Sequence, residues 1–198
     1  MRNLEEIHRA FPSKPIVISE YGYCACTEQR PEGDRERIEI LRAHDEVFRG
    51  APYVGGLIFF CYNDYRTHIG DKGLGVMKQR VHGVVDVYGA RKPSYDVLRR
   101  ESSPVEAVRL EPGAGSLHIE VRTRNTVPSY RLRGYRLRAV IYGAGHIPLE
   151  RVEARLAELA PGGSAEATLR FAEKHPTHIQ VDVMRPTGFS AWTEVWQG

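Results

Sequence analysis

The chain has 198 residues, with 28 Lys plus Arg against 25 Asp plus Glu, 41% hydrophobic residues, 9% aromatics and three cysteines. This is a globular composition whose net charge of +3 is too mild for a nucleic-acid module. No apolar run approaches the ~20 residues that cross a bilayer, and an odd cysteine count cannot pair completely within the chain.

Leu4, Ile7, His8 and Phe11 follow a helical spacing that Pro12 stops. Pro15-Ile16-Val17-Ile18-Ser19 is a short β-branched run, read as a buried strand. After a loop with Gly22, Pro31 and Gly33, residues 34–48 carry the stripe Ile40, Leu41, His44, Val47 and Phe48. Asp34 is the expected N-cap of this helix and Gly50 its stop. Residues 54–60 form a second buried strand, residues 65–82 read as a long loop, residues 83–86 as a short turn or strand, and Pro93 opens a last helix. Strand–helix alternation of this kind implies parallel pairing. Two parallel strands cannot bury both faces, so this half is either the end of a longer barrel or a partner to strands from another chain.

After Ser103 the rhythm changes to period two. Leu117, Ile119 and Val121 alternate with polar residues, as do Tyr135, Leu137, Ala139 and Ile141, then Leu169 and Phe171, then Ile179, Val181 and Val183. Turn signals separate the runs, and about 95 residues of short strands read as a β-sandwich. Residues 1–102 and 103–198 are therefore expected as separate domains. Arg122, Arg124, Arg131, Arg133, Arg136 and Arg138 cluster in the second. They read as a solvated strand face, with a patch for a polyanion or acidic sugar as the alternative. Cys24, Cys26 and Cys61 read as reduced thiols, and their spacing fits no zinc pattern.

Glu20 directly follows the first strand; Tyr62, Asn63 and Asp64 follow the second. A carboxylate at the C-terminal end of a barrel strand stands where barrel enzymes do their chemistry. Glycoside hydrolysis uses one there as nucleophile, and aromatics beside it suit sugar stacking. Read from position alone, Glu20 equally suits a loop cap or ion pair.

Three segments sharpen that choice. Lys14-Pro15-Ile16-Val17-Ile18-Ser19-Glu20-Tyr21-Gly22 resembles the nucleophile segment of glycoside hydrolase family 2, the β-galactosidase and β-glucuronidase group. Residues 56–65 resemble its strand-eight segment, and residues 82–95 its closing stretch before the last barrel helix. The resemblance implies an α/β plus all-β chain: the C-terminal portion of a (β/α)8 TIM barrel followed by an immunoglobulin-like β-sandwich. It implies Glu20 as nucleophile and Tyr21, Phe60, Tyr62, Asn63 and Asp64 as substrate-binding residues, with no metal and no cofactor. Phe60 stands where the family usually has tryptophan. The loop Gly70-Asp71-Lys72-Gly73 lacks the asparagine of a glucuronidase clamp, and no Asn-Glu pair supplies the family's acid/base.

The resulting expectation is part of a retaining β-glycosidase acting on β-galactoside-like substrates, inactive alone. Its partners would be the carbohydrate substrate, the upstream part of the same enzyme and further copies of itself, with neither nucleic acid nor membrane among them. No secretory signal is read after Met1, so the expected location is cytoplasmic. Two alternatives stand beside this. One is a non-catalytic carbohydrate-binding or oligomerisation module, in which Trp192 and Trp196 stack sugars or fill an interface rather than pack in a core. The other is an endo-acting barrel hydrolase such as a mannanase. His68 and His82 lie near the expected mouth, while His118, His146, His175 and His178 are expected on the sandwich surface.

Overall fold

A computed structural model describes residues 2–24, 32–67 and 79–198 of the protein. The chain divides into two units, Met1–Ser102 and Ser103–Gly198. The loop segment containing Lys72, together with His68 and Cys26, lies outside the described residues.

In the first unit, helix α1 (Arg2–Ala10) ends just before Pro12 and is held by His8, whose ring stacks on Tyr53 at 4.0 Å. Strands β1 (Ile16–Tyr21) and β2 (Val54–Phe59) pair in parallel. Between them runs α2 (Gly33–Arg49), which buries Leu41 and Phe48 and ends at Gly50, whose N–H reaches back to the carbonyl of Glu46. Asp34 is not the cap. It sits inside the first turn and its carboxylate accepts from the backbone N–H and hydroxyl of Ser94, both at 2.7 Å. The cap position belongs to Glu32, which makes no side-chain cap bond. Within the expected loop, β3 (Tyr65–Arg66) pairs with β4 (Gln79–Arg80). Helix α3 (Pro93–Glu101) opens on Pro93, where the missing N–H costs no helical bond. Among the described residues the parallel sheet has two strands, and no closed barrel is present.

The second unit is all β. Strands β5 (Val105–Gly113), β6 (Ser116–Thr123) and β9 (Ser164–Arg170) form one antiparallel sheet in the order β5-β6-β9. Strands β7 (Arg136–Tyr142), β8 (Pro148–Arg155), β10 (His178–Met184) and β11 (Ser190–Gln197) form the other, in the order β11-β10-β7-β8. One apolar cluster draws on both sheets. Leu117, Ile119, Val121, Leu137, Ile141, Ile179, Val181 and Val183 all face inward with no exposed surface. Trp192 is buried in this cluster and Trp196 packs against it, so both tryptophans serve the core rather than a sugar platform. The arginine cluster is tied up across strands: Arg138 to Asp182 at 2.8 Å, Arg122 to Glu106 at 2.9 Å, Arg136 to Glu153 at 3.4 Å and Arg133 to Glu158 at 3.5 Å. Each of these four arginines thus has a carboxylate beside it, as on a solvated strand face. No described helix is long and apolar enough to cross a membrane.

Candidate active site

The parallel pair is irregular at the point that matters. Ile18 is paired with Leu57 and Tyr21 with Phe59, so β1 spends one more residue than β2 over the same span. Such a bulge re-aims the side chains that follow it. Without it, alternation would turn Glu20 to the side of Ile16 and Ile18. With it, Ser19 and Glu20 are both exposed, and the parity of Tyr21 is reset inward.

Tyr21 therefore does not stand beside Glu20. Its ring makes edge contacts with Phe48 at 5.4 Å, Phe59 at 5.6 Å and His44 at 6.2 Å. Burial, and then the nearby charge of Asp45, push its hydroxyl up to about 12. A group so placed packs the sheet on α2. Gly22 follows because the chain crosses Phe60 closely: a Cβ here would run into the Phe60 carbonyl oxygen.

The end of β2 supplies the neighbouring surface. The Phe60–Cys61 peptide is cis. The Cys61 thiol donates to the carbonyl of Asn63 at 3.0 Å. Burial and then Asp64 push this thiol up, and the charge of Glu20 adds a smaller push. Cys61 and Glu20 therefore share one electrostatic neighbourhood. Asn63 is exposed, and its backbone bridges to Val85. Tyr62 is 57% exposed, with its ring edge-on to Tyr95 at 6.2 Å, and Arg91 lies over the Tyr95 ring at 4.4 Å. Phe60 turns to a different cluster, with Tyr65 at 5.9 Å and His82 at 5.6 Å.

Asp64 departs from its expected role as a substrate ligand. It is buried, and both carboxylate oxygens accept from Lys92 Nζ at 2.8 Å. One of them also takes the N–H of Gly83 at 2.8 Å. Its acceptor sites are committed to the protein, so it orients the loop rather than meeting a sugar. Gly83 is required beside it, because a Cβ there would overlap the backbone of Asn63 and Asp64.

Behind these loops lies a residue that sequence reasoning missed. Arg37 of α2 is 1% exposed. Its guanidinium donates to the carbonyls of Tyr23 at 3.1 Å, Val81 at 2.6 Å and Gly83 at 2.5 Å, and to Asp34 at 3.2 Å. One fork of donors thus ties the chain just beyond Glu20 to the stretch that holds Asp64. An arginine in the run Arg35-Glu36-Arg37-Ile38-Glu39 looks like surface, and nothing in its local pattern marks it as buried.

Among the described residues no group of three or more His, Cys, Asp or Glu is placed to hold a metal ion. No family model matches the chain, and no curated protein matches it. Among the solved structures it resembles are three glycosidases. The β-glucuronidase of Bacteroides uniformis aligns over 99% of this chain and 23% of its own, at 14% identity and a TM-score of 0.42. The β-D-mannosidase of Dictyoglomus thermophilum aligns over 89% of this chain and 21% of its own, at 14% identity and a TM-score of 0.34. The exo-β-D-glucosaminidase CsxA aligns over 83% of this chain and 18% of its own, at 12% identity and a TM-score of 0.34. The chain spans less than a quarter of the length of each.

Proposed function

We propose that this chain is the C-terminal part of a retaining β-glycosidase of the family 2 type. In this reading β1 and β2 are the last strands of a (β/α)8 barrel, and residues 103–198 form an appended immunoglobulin-like sandwich. The observation that carries the reading is the bulge that turns Glu20 outward at the C-terminal end of a parallel strand, beside the loop that closes β2. The sandwich order, three strands against four with one shared core, supports the second half.

Glu20 then attacks the anomeric carbon of a β-glycoside, with β-galactosides as the favoured class. The bond to the aglycone oxygen breaks, and that oxygen takes a proton from an acid. Water afterwards delivers hydroxide to the same carbon, gives its proton to the acid's conjugate base, and releases Glu20. Retention places the second carboxyl about 5–5.5 Å from the nucleophile. Asp64 is committed to Lys92 and Gly83; the family resemblance implies that the acid/base is a glutamate outside this chain. Asn63 and Tyr62 line the rim. The chain by itself is inactive, and general-acid help of ~10²–10⁴-fold is only part of what it lacks.

The test uses a 2-deoxy-2-fluoro-β-galactosyl fluoride, whose leaving group needs little proton assistance, on the longest natural polypeptide that carries this segment. One glycosyl unit should attach to the peptide containing Glu20, and Glu20→Gln should take no label. Label on any other carboxylate overturns the assignment.

A further inference from the structure

The β7–β8 connection carries a second arrangement with chemical content. Its turn runs from Gly143 to Ile147 and is closed by the Gly143 N–H on the Ile147 carbonyl at 2.9 Å. Gly145 and His146 both have positive φ, 69° and 60°. For a residue with a side chain this is an uncommon conformation. It brings the His146 ring 4.9 Å from that of His178, the first residue of β10, with the planes 59° apart.

His178 is held on two sides. Its ring lies flat on Tyr142, its cross-strand partner, at 4.2 Å and 10°. Its Nδ1 is 3.4 Å from the Thr177 hydroxyl oxygen. That hydroxyl has one hydrogen, directed to the carbonyls of Gly143 at 2.8 Å and Tyr142 at 3.1 Å. The oxygen therefore turns a lone pair toward Nδ1, which favours the tautomer with the proton on Nδ1. Nε2 is left as the nitrogen with an available lone pair. A partner that fixes one ring nitrogen so that the other can ligate is the usual outer shell of a metal-binding histidine.

We propose that His146 and His178 together bind one divalent transition-metal ion, with His178 ligating through Nε2 and water filling the remaining positions. Imidazole suits copper, nickel and zinc, and Cu(II) should bind most tightly. With metal–nitrogen bonds of about 2.0–2.1 Å, each ring centroid lies about 3.2 Å from the ion, and two such arms at about 90–110° set the centroids about 4.5–5.2 Å apart. The separation observed is 4.9 Å. The 59° tilt between the imidazoles is compatible with two ligands on one ion, since each ring can turn about its metal–nitrogen bond. No third His, Cys, Asp or Glu joins them among the described residues, so the ion keeps exchangeable positions.

Titration of the full chain with Cu(II), followed by calorimetry and electron paramagnetic resonance, tests this. One saturable equivalent should bind, with coupling to two nitrogens. His146→Asn, which tolerates the left-handed backbone, and His178→Gln should each weaken binding by at least about tenfold, and Thr177→Val by about tenfold. His118→Gln and His175→Gln should leave it unchanged. Unaltered thermal midpoints would show that the variants fold. Absence of a saturable equivalent overturns the site, as does binding that survives either ligand variant. Unchanged binding in Thr177→Val overturns the Nε2 assignment.

Discussion

The two units solve the same problem of burying a β-sheet by different means. In the second unit seven strands close around one apolar cluster, and the inward residues of β6, β7 and β10 have essentially no exposed surface. In the first unit two strands leave Val17 56% and Ile58 55% exposed. Its interior depends instead on charged groups sunk among backbone carbonyls: Arg37 with Asp34, and Lys92 with Asp64. The difference teaches where specificity resides. A sandwich core tolerates exchange among apolar shapes of similar volume, whereas a buried guanidinium that serves three carbonyls in two segments admits no ready substitute.

The largest expected effect tests that statement directly. Arg37→Met should destabilise the first unit by about 3–5 kcal/mol, because it removes the buried cation that pairs with Asp34 and bridges the carbonyls of Tyr23, Val81 and Gly83. Chemical denaturation followed by amide exchange at residues 20–24 and 81–85 checks it. A loss under about 1 kcal/mol would mean that the clamp is a consequence of the fold and not a support. Ile179→Ala, in the fully buried sandwich core, should cost about 2–5 kcal/mol, with exchange in the first unit unchanged. If one variant lowers both units together, the contrast between them fails.

How far this was legible depended on whether a local period survived. Leu117, Ile119 and Val121 keep strict alternation, and β6 was readable from them. Strand β5 was not, because a register shift between Val105 and Ala107 buries Val105 and Val108 three apart. Strand β8 turns Glu150, Val152 and Ala154 inward, too mixed a set to announce a strand. In β11 Ala191 and Trp192 are buried side by side next to another shift. The candidate site obeys the same logic. Glu20 could be located from its place at a strand end, but the bulge that turns Tyr21 inward leaves no mark in composition. Asp64 looked like a ligand residue because its partner, Lys92, stands 28 residues away and only the fold brings them together.

A smaller effect follows from Asp182 in β10. Burial pushes its carboxyl up, but hydrogen bonds from Thr193, Arg138 and Gln180 together outweigh that and hold it below the ordinary carboxylate value of 3.8. A lowered folded value means that the stabilisation is present above the unfolded value and lost as pH falls through the folded one. Thermal midpoints should therefore drop below about pH 4 in the parent chain. Asp182→Asn should start about 1–3 kcal/mol less stable at neutral pH and lose part of that acid dependence. A parent midpoint flat down to about pH 2 would contradict the assignment.

The smallest effect on stability comes from the bare face. Val17→Ser and Ile58→Ser remove apolar groups that are already more than half in water, so each should change unfolding free energy by no more than about 0.5 kcal/mol. Association is another matter. Among the described residues the outer edges of these two strands pair with no further strand, and such edges with uncovered apolar side chains invite a second copy. The unaltered chain should therefore sediment as a dimer or larger, and the double variant should shift toward monomer while remaining as stable as before. If the parent is a monodisperse monomer, the exposed residues of β1 and β2 do not drive assembly, and the first unit stands on its own buried residues and polar clamp. If the double variant stays associated, the contact lies on some other surface and the uncovered strand pair is not its cause.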